Sequence, residues 1–226
     1  MGSLTVALAE TGAEILAVEF DRALLAALAE VTASYPNVRI EPVDAMHADW
    51  SALLAGHRWT MASNLPYNVA VPLLLDLLED APAIERSLVM VQREVADRLV
   101  ATAGDEAYGA VSAKIAYLAR AGLERRVPPG VFWPEPAVGS ALVSLVRHPP
   151  PVTTPKERLF AVIDRAFAER RKTMSNALRR MGLDASGATE VLTRAGVDPK
   201  ARAEDLSLEV FARIAEELPP EVVRDP

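Results

Sequence analysis

The sequence predicts an α/β domain followed by a small all-helical domain, and three observations carry that prediction. Short apolar runs alternate with helix-period segments over residues 1–150. The run H-P-P-P-V-T-T-P (148–155) then reads as a stiff linker. Only helix-period segments follow it, so the expected division is 1–150 and 151–226.

The elements follow in order. E-I-L-A-V (14–18) is strand-like, and 22–30 repeats Leu and Ala at helical spacing. Residues 38–43 read as a strand and 50–55 as part of a short helix. A further strand ends at 60–62 and runs into Asn64; an apolar helix (69–78) and a buried strand (87–91) come next. This alternation predicts a parallel sheet with helices on both faces. Residues 109–120 read as a helix, and strands at 122–127 and 140–146 flank the loop P-P-G-V-F-W-P-E-P. A late hairpin of this kind closes the edge of an otherwise parallel sheet. Beyond the linker, helices are expected at 157–170, 173–181, 188–195 and 208–218, punctuated by Gly182, Gly196 and Pro199.

Composition narrows the class. Half the residues are hydrophobic, enough for a core. The chain has no cysteine, which excludes disulfides and thiolate metal sites and fits a reducing cytoplasm. His47, His57 and His148 show no ligand spacing, so no metal is expected. The N-terminus has no basic leader, and apolar runs such as 71–75 fall far short of the roughly 20 residues that span a bilayer. A cytoplasmic monomer without a membrane partner is expected.

The net charge of −7 is unevenly spread: residues 1–150 carry 11 basic and 18 acidic side chains, and 151–226 carry 13 of each. Between 165 and 180, however, Arg165, Arg170, Arg171, Lys172, Arg179 and Arg180 face only Glu169. Such a stripe is either a solvated helix face or a phosphate-binding surface.

The strongest chemical signal is S-N-L-P-Y-N (63–68) just after a strand. The exocyclic nitrogen of adenine is a poor nucleophile because its lone pair is delocalised into the ring. An amide oxygen and a backbone carbonyl that accept its two N–H bonds localise that lone pair toward a methyl donor. Asn64 supplies the amide, Leu65 belongs to the same backbone turn, Pro66 stiffens it, and Tyr67 offers a flat face for an extruded base. Asn-x-Pro is also ordinary turn chemistry. Placement at a strand end before an apolar helix favours the functional reading, because open α/β sheets bind ligands there.

The N-L-P-Y-N run resembles the catalytic motif of the ribosomal RNA adenine dimethylases. Further stretches resemble the same family in the same order: A-V-E-F-D (17–21), V-D-A (43–45), Q-R-E-V-A-D-R-L (92–99), Y-G-A-V-S (108–112), F-W-P-E-P-A-V-G-S-A (132–141) and A-F-A-E-R-R-K-T (166–173). The resemblance implies a Rossmann-like S-adenosylmethionine-dependent methyltransferase sheet with a helical RNA-facing domain. It implies that Glu19 holds the cofactor's ribose hydroxyls and that Asp44, with Ala45, holds its adenine. It implies that Phe132 covers the target base and that the stretch opening at Arg170, Arg171 and Lys172 faces RNA, with Arg179 and Arg180 following. Bland readings accompany these: Glu19 and Asp44 as helix caps or solvated carboxylates, and Phe132 as loop packing. Trp133 is read as structural, and Gln92 and Glu94 as scaffold polar groups.

Members of the family begin with a further segment, a strand central in the sheet and a Glu-x-Gly-x-Gly-x-Gly turn. Gly2 aligns with the last glycine of that turn, so this chain is expected to start inside the cofactor loop, through a misplaced start codon, with a helix at 3–10 retained. The leading function is N6-dimethylation of adjacent adenosines in small-subunit ribosomal RNA, with the subunit precursor as partner. The alternatives are a large-subunit enzyme of the antibiotic-resistance type, disfavoured by the matches at 92–99 and 170–173, and a non-catalytic RNA- or ribosome-binding factor.

Overall fold

In the computed structural model, which describes residues 2–66, 68–169 and 172–223, the strands form two sheets. β1 (Ile15–Val18) and β2 (Val38–Glu41) pair in parallel, with Ile15 opposite Val38. The other four, β3 (Trp59–Asn64), β4 (Ile84–Gln92), β5 (Ala119–Val127) and β6 (Ser140–Arg147), stand in the order β3-β4-β6-β5. β6 runs antiparallel to both β4 and β5, so the late hairpin ends the sheet with β5 at the edge. The expectation of one sheet is therefore corrected: among the described residues the first two strands are bonded in a sheet of their own.

Packing divides the chain into two units, Met1–Trp59 with Pro72–Ala83, and Thr60–Val71 with Ile84–Pro226. The helix α4 (Ala70–Asp80) begins in the second and continues in the first. The first unit also holds α1 (Ser3–Ala9), α2 (Arg22–Thr32) and α3 (Trp50–Leu53). Asn37 organises it: its side-chain amide donates to the carbonyls of Ala9 at 2.9 Å and Ala13 at 2.8 Å, and its own carbonyl accepts from Ile15 N at 2.8 Å. One residue thus satisfies the end of α1 and sets the start of the β1–β2 ladder.

In the second unit, β4 and β6 bury one face. Val89 and Val143 are opposite one another and fully buried, as are Val91 and Ala141. Leu88, pointing the other way, is 41% exposed, so β4 alternates and is not buried on both faces as its apolar run suggests. The amphipathic α5 (Arg93–Val100) follows β4 directly, with Ala96 and Leu99 inward. α6 (Ala110–Leu118) stops where Ala119 becomes extended and pairs with Arg147, so β5 begins three residues before the 122 expected from sequence. Ser112 joins the two helices: its hydroxyl accepts from Gly109 N at 3.1 Å and donates to Arg98 O at 2.6 Å.

The C-terminal helices α7 (Lys156–Phe167), α8 (Met174–Arg180), α9 (Ala185–Arg194) and α10 (Leu208–Glu217) belong to this same unit. The proline-rich run 148–155 therefore lies inside a unit, and it is tied down: Thr154 is buried and donates to Glu216 at 2.8 Å. Aromatic edges join α7 to the α6 region, Tyr117 on Phe160 at 5.4 Å and Tyr108 on Phe167 at 5.7 Å. Lys114 pairs with Asp164 at 2.7 Å and sits 5.2 Å from the Phe160 ring centre.

Tyr108 is 3% exposed and donates to Leu206 O at 3.0 Å. Burial, and secondarily the charge of Glu209, pushes its phenol up to about 12. A raised folded-state value favours the neutral phenol, so its contribution is complete below pH ~10 and is lost as pH rises through about 12. Tyr108→Phe should cost about 1–3 kcal/mol at neutral pH by leaving the Leu206 carbonyl unsatisfied. It should also flatten the fall in melting temperature over that alkaline window; thermal melts of both proteins across the window check this.

Candidate active site

Asn64 is the last residue of β3, and its side chain is exposed. The next residue anchors the strand end: Leu65 N donates to Met90 O at 3.1 Å, and Leu65 as a whole is 3% exposed. Pro66 O accepts from Val69 N at 3.2 Å, which closes the turn just before α4. Tyr67, the fourth member of the run, lies outside the described residues.

A cavity of about 360 Å³ opens beside it, lined by Asn64, Leu65, Pro66, Phe132, Trp133, Pro134 and Pro136. Its size falls within the range of small-molecule sites. The loop that carries Phe132 begins with a short 3₁₀ turn, where Phe132 N donates to Pro129 O at 3.0 Å. At its far end Gly139 O accepts from Arg93 N at 2.9 Å. Phe132 is half-buried, whereas Trp133 is 97% exposed. The structural reading of Trp133 is thus overturned, since an indole in water packs no core. The asymmetric pair gives the cavity one seated ring and one free ring.

Gly2, Glu19, Asp44 and Ala45 lie in the first unit. Gly2 caps α1 with φ of +74°, and a β-carbon there would stand 2.7 Å from Val31 Cγ2. Both facts require glycine. At the end of β1, Glu19 Oε1 accepts from Phe20 N at 2.9 Å and Asp21 N at 3.0 Å. Asp21, not Glu19, caps α2, through Ala23 N at 2.8 Å. Likewise Asp49, not Asp44, caps α3. Asp44 accepts from Met46 N at 2.9 Å and contacts His47 Nδ1 at 3.1 Å. These two bonds hold its carboxyl below the usual carboxylate range, the Met46 amide first. Ala45 O accepts from the Trp50 indole at 3.2 Å, fixing the turn. The helix-cap readings therefore fail for both carboxylates, and each lies in a loop that follows a strand.

Sequence reading passed over Phe20, which is 68% exposed beside Glu19. Its signal was an aromatic residue at a strand end, where an apolar side chain finds no core to enter. Glu94 pairs with Arg98 along α5, as a scaffold polar group would.

In the basic stripe, Arg170 and Arg171 lie outside the described residues. Arg180 pairs with Glu169, while Asp164 is engaged by Lys114. Lys172 and Arg179 are exposed, and neither has a side-chain hydrogen bond or ion pair among the described residues. Among those residues no group of three His, Asp or Glu side chains stands together to hold a metal ion, and no helix is long and apolar enough to cross a membrane.

Comparison with known proteins places the chain in a family. The family model described as ribosomal RNA adenine dimethylase matches residues 1–219. A ribosomal RNA small subunit methyltransferase A of Streptomyces avermitilis is 47% identical, over 96% of this chain and 75% of the relative. The protein of the same name from Kineococcus radiotolerans is 46% identical, over 97% of this chain and 74% of the relative. Two crystal structures share the fold: a dimethyladenosine transferase from Plasmodium falciparum and the 23S rRNA methyltransferase ErmE. The first has a TM-score of 0.77 at 19% identity, covering 94% of this chain and 84% of that one. The second has a TM-score of 0.69 at 22% identity, covering 96% and 86%. The fold is the Rossmann-like one of these two structures. The chain belongs to the ribosomal RNA adenine dimethylase family, a family of rRNA-modifying enzymes.

Proposed function

We propose that this protein transfers methyl groups from S-adenosylmethionine to N6 of adjacent adenosines in small-subunit ribosomal RNA, acting as a cytoplasmic monomer on the subunit precursor. The observation that carries the reading is the exposed Asn64 amide at the end of β3, facing a cavity that Phe132 also lines.

S-adenosylmethionine supplies an electrophilic methyl group on sulfonium. The chain's own residues prepare the nucleophile. The Asn64 side-chain oxygen and the Leu65 carbonyl accept the two N–H bonds of the adenine amine and direct its lone pair outward. Pro66 and the anchored Leu65 keep that turn from relaxing, and Phe132 and Tyr67 stack on the extruded base. Glu19 has one carboxylate oxygen left for ribose hydroxyls, because the other is taken by two backbone amides. Asp44 accepts from the adenine amino group, Ala45 lies beside it, and Gly2 lets the backbone approach. The residues present fit an adenosyl ligand in hydrogen-bonding type, since the carboxylates of Glu19 and Asp44 are acceptors for its hydroxyl and amino donors.

The relatives at 46–47% identity carry the small-subunit name, which favours this substrate over the large-subunit alternative. Incubating the protein with labelled S-adenosylmethionine and unmodified ribosomal particles tests the choice. Label is expected in small-subunit RNA. Label in large-subunit RNA instead would select the resistance-type reading, and tight RNA binding without label would select the non-catalytic one.

Phosphate contacts come from Lys172 and Arg179, with Arg170 and Arg171 next to Lys172 in sequence. Arg180 contributes less, since Glu169 already neutralises it. Replacing Lys172 and Arg179 together with Ala should weaken RNA binding with little sequence preference. The log–log salt slope should flatten by roughly 1.4–1.8, the release expected for two phosphates. Loss of thermal stability with the parent's slope would place the RNA elsewhere.

A further inference from the structure

The loop that carries Phe132 has a second side. Phe132, Trp133, Pro134 and Pro136 line the cavity at Asn64, while Pro128, Pro129, Ala137 and Val138 line another cavity of about 540 Å³. Pro136 lines the first and Ala137 the second, so neighbouring residues of one chain divide them. The second cavity is completed by Gln92, Arg93 and Glu94 where β4 passes into α5, and by Arg126 and Val127 at the end of β5.

Its chemistry is mixed in a particular way. The walls from Val127, Pro128, Pro129 and Val138 are apolar and rigid, and Val138 is 46% exposed. Arg126 is committed to Asp97 at 2.9 Å, and Glu94 to Arg98. Arg93 is exposed, and among the described residues its guanidinium has no hydrogen bond or ion pair. An uncommitted guanidinium at the mouth of a proline-walled cavity suits a ligand with a flat face and an anionic group. Arg is the side chain best matched to a phosphate, through its fork of donors. Gln92 adds an amide able to donate to and accept from a base edge.

We infer that this second cavity is a nucleotide subsite: it takes the nucleotide adjoining the target adenosine on the same RNA strand, with Arg93 on the intervening phosphodiester. This rests on the proposed function, which places the target base at Asn64. One loop then separates two consecutive bases, and closing the strand over it holds both. The subsite also gives a physical basis for choosing one adenosine among many, because the neighbour must fit before the target base is seated.

Arg93→Ala and Arg93→Lys, compared with the parent on an RNA fragment containing the target, test this. Arg93→Ala should weaken RNA binding about 10-fold or more, as expected for a hydrogen-bonded charge, and flatten the salt slope by about 0.7–0.9. Arg93→Lys should restore the slope and only part of the affinity. Cofactor affinity and melting temperature should stay at the parent's values. A fragment with an abasic residue beside the target should bind the parent several-fold more weakly and cost Arg93→Ala distinctly less. Parent-like affinity and slope in folded Arg93→Ala, or an abasic penalty equal in both proteins, overturns the subsite. Either result leaves the methylation reading standing if the parent still labels the RNA. Binding that follows these expectations without methylation by the parent instead upholds the subsite and removes the catalytic reading.

Discussion

Replacing Asn64 with Ala should lower the methylation rate by about 10²–10³, the cost of one polar contact made to the developing charge in the transition state. Cofactor affinity should barely move, because the amide acts on the incoming amine. The geometry makes this a clean test. Asn64 is exposed at the strand end, while the anchoring of the turn belongs to its neighbours, through Leu65 N on Met90 O and Pro66 O on Val69 N. Truncating the amide should therefore leave stability within about 0.5 kcal/mol of the parent's, the range for surface substitutions. If Asn64→Ala unfolds the protein while catalysis per folded molecule survives, the residue is a turn former and nothing more.

Glu19→Ala should weaken S-adenosylmethionine binding by about 1.5–3 kcal/mol, the range for hydrogen bonds to a charged group. RNA affinity should be unchanged. Glu19 also accepts from Phe20 N and Asp21 N, so part of any loss could come from a loosened strand end. Glu19→Gln separates the two: it keeps an oxygen for the backbone amides and loses the charge that favours ribose hydroxyls. Calorimetry on the three proteins reads the result. An unchanged dissociation constant in Glu19→Ala takes Glu19 out of the site, and a parent that binds no cofactor selects the non-catalytic factor.

The turn at Asn64 was legible because its signals are local: a strand-like run, then a proline-stiffened turn, then an apolar helix. Glu19 and Asp44 were legible as residues after strands, but their cap alternatives fell only when Asp21 and Asp49 were seen to hold those caps. What sequence reading missed depends on distant partners. The helix α5 is hard to read from sequence because its charged residues obscure the few apolar positions, Ala96 and Leu99, that face inward. β5 starts early because Ala119 pairs with Arg147, a contact 28 residues away in sequence. The two-sheet arrangement is a fact of hydrogen-bond ladders that periodicity does not encode. The exposure of Trp133 is not legible in sequence because exposure is a tertiary property, and an aromatic residue beside Phe132 looks the same whether buried or free. The basic stripe likewise looked uniform, although Glu169 neutralises one of its members.

The central claim is that the Asn64 cavity presents an adenine amine for methylation. Nucleoside mass analysis of small-subunit RNA, after incubation with the protein and S-adenosylmethionine, tests it most directly. The account predicts N6,N6-dimethyladenosine from the parent and a loss of product in folded Asn64→Ala. Methyl groups on another base or on ribose, or the same N6-methylated product from Asn64→Ala at the parent's rate, would contradict it.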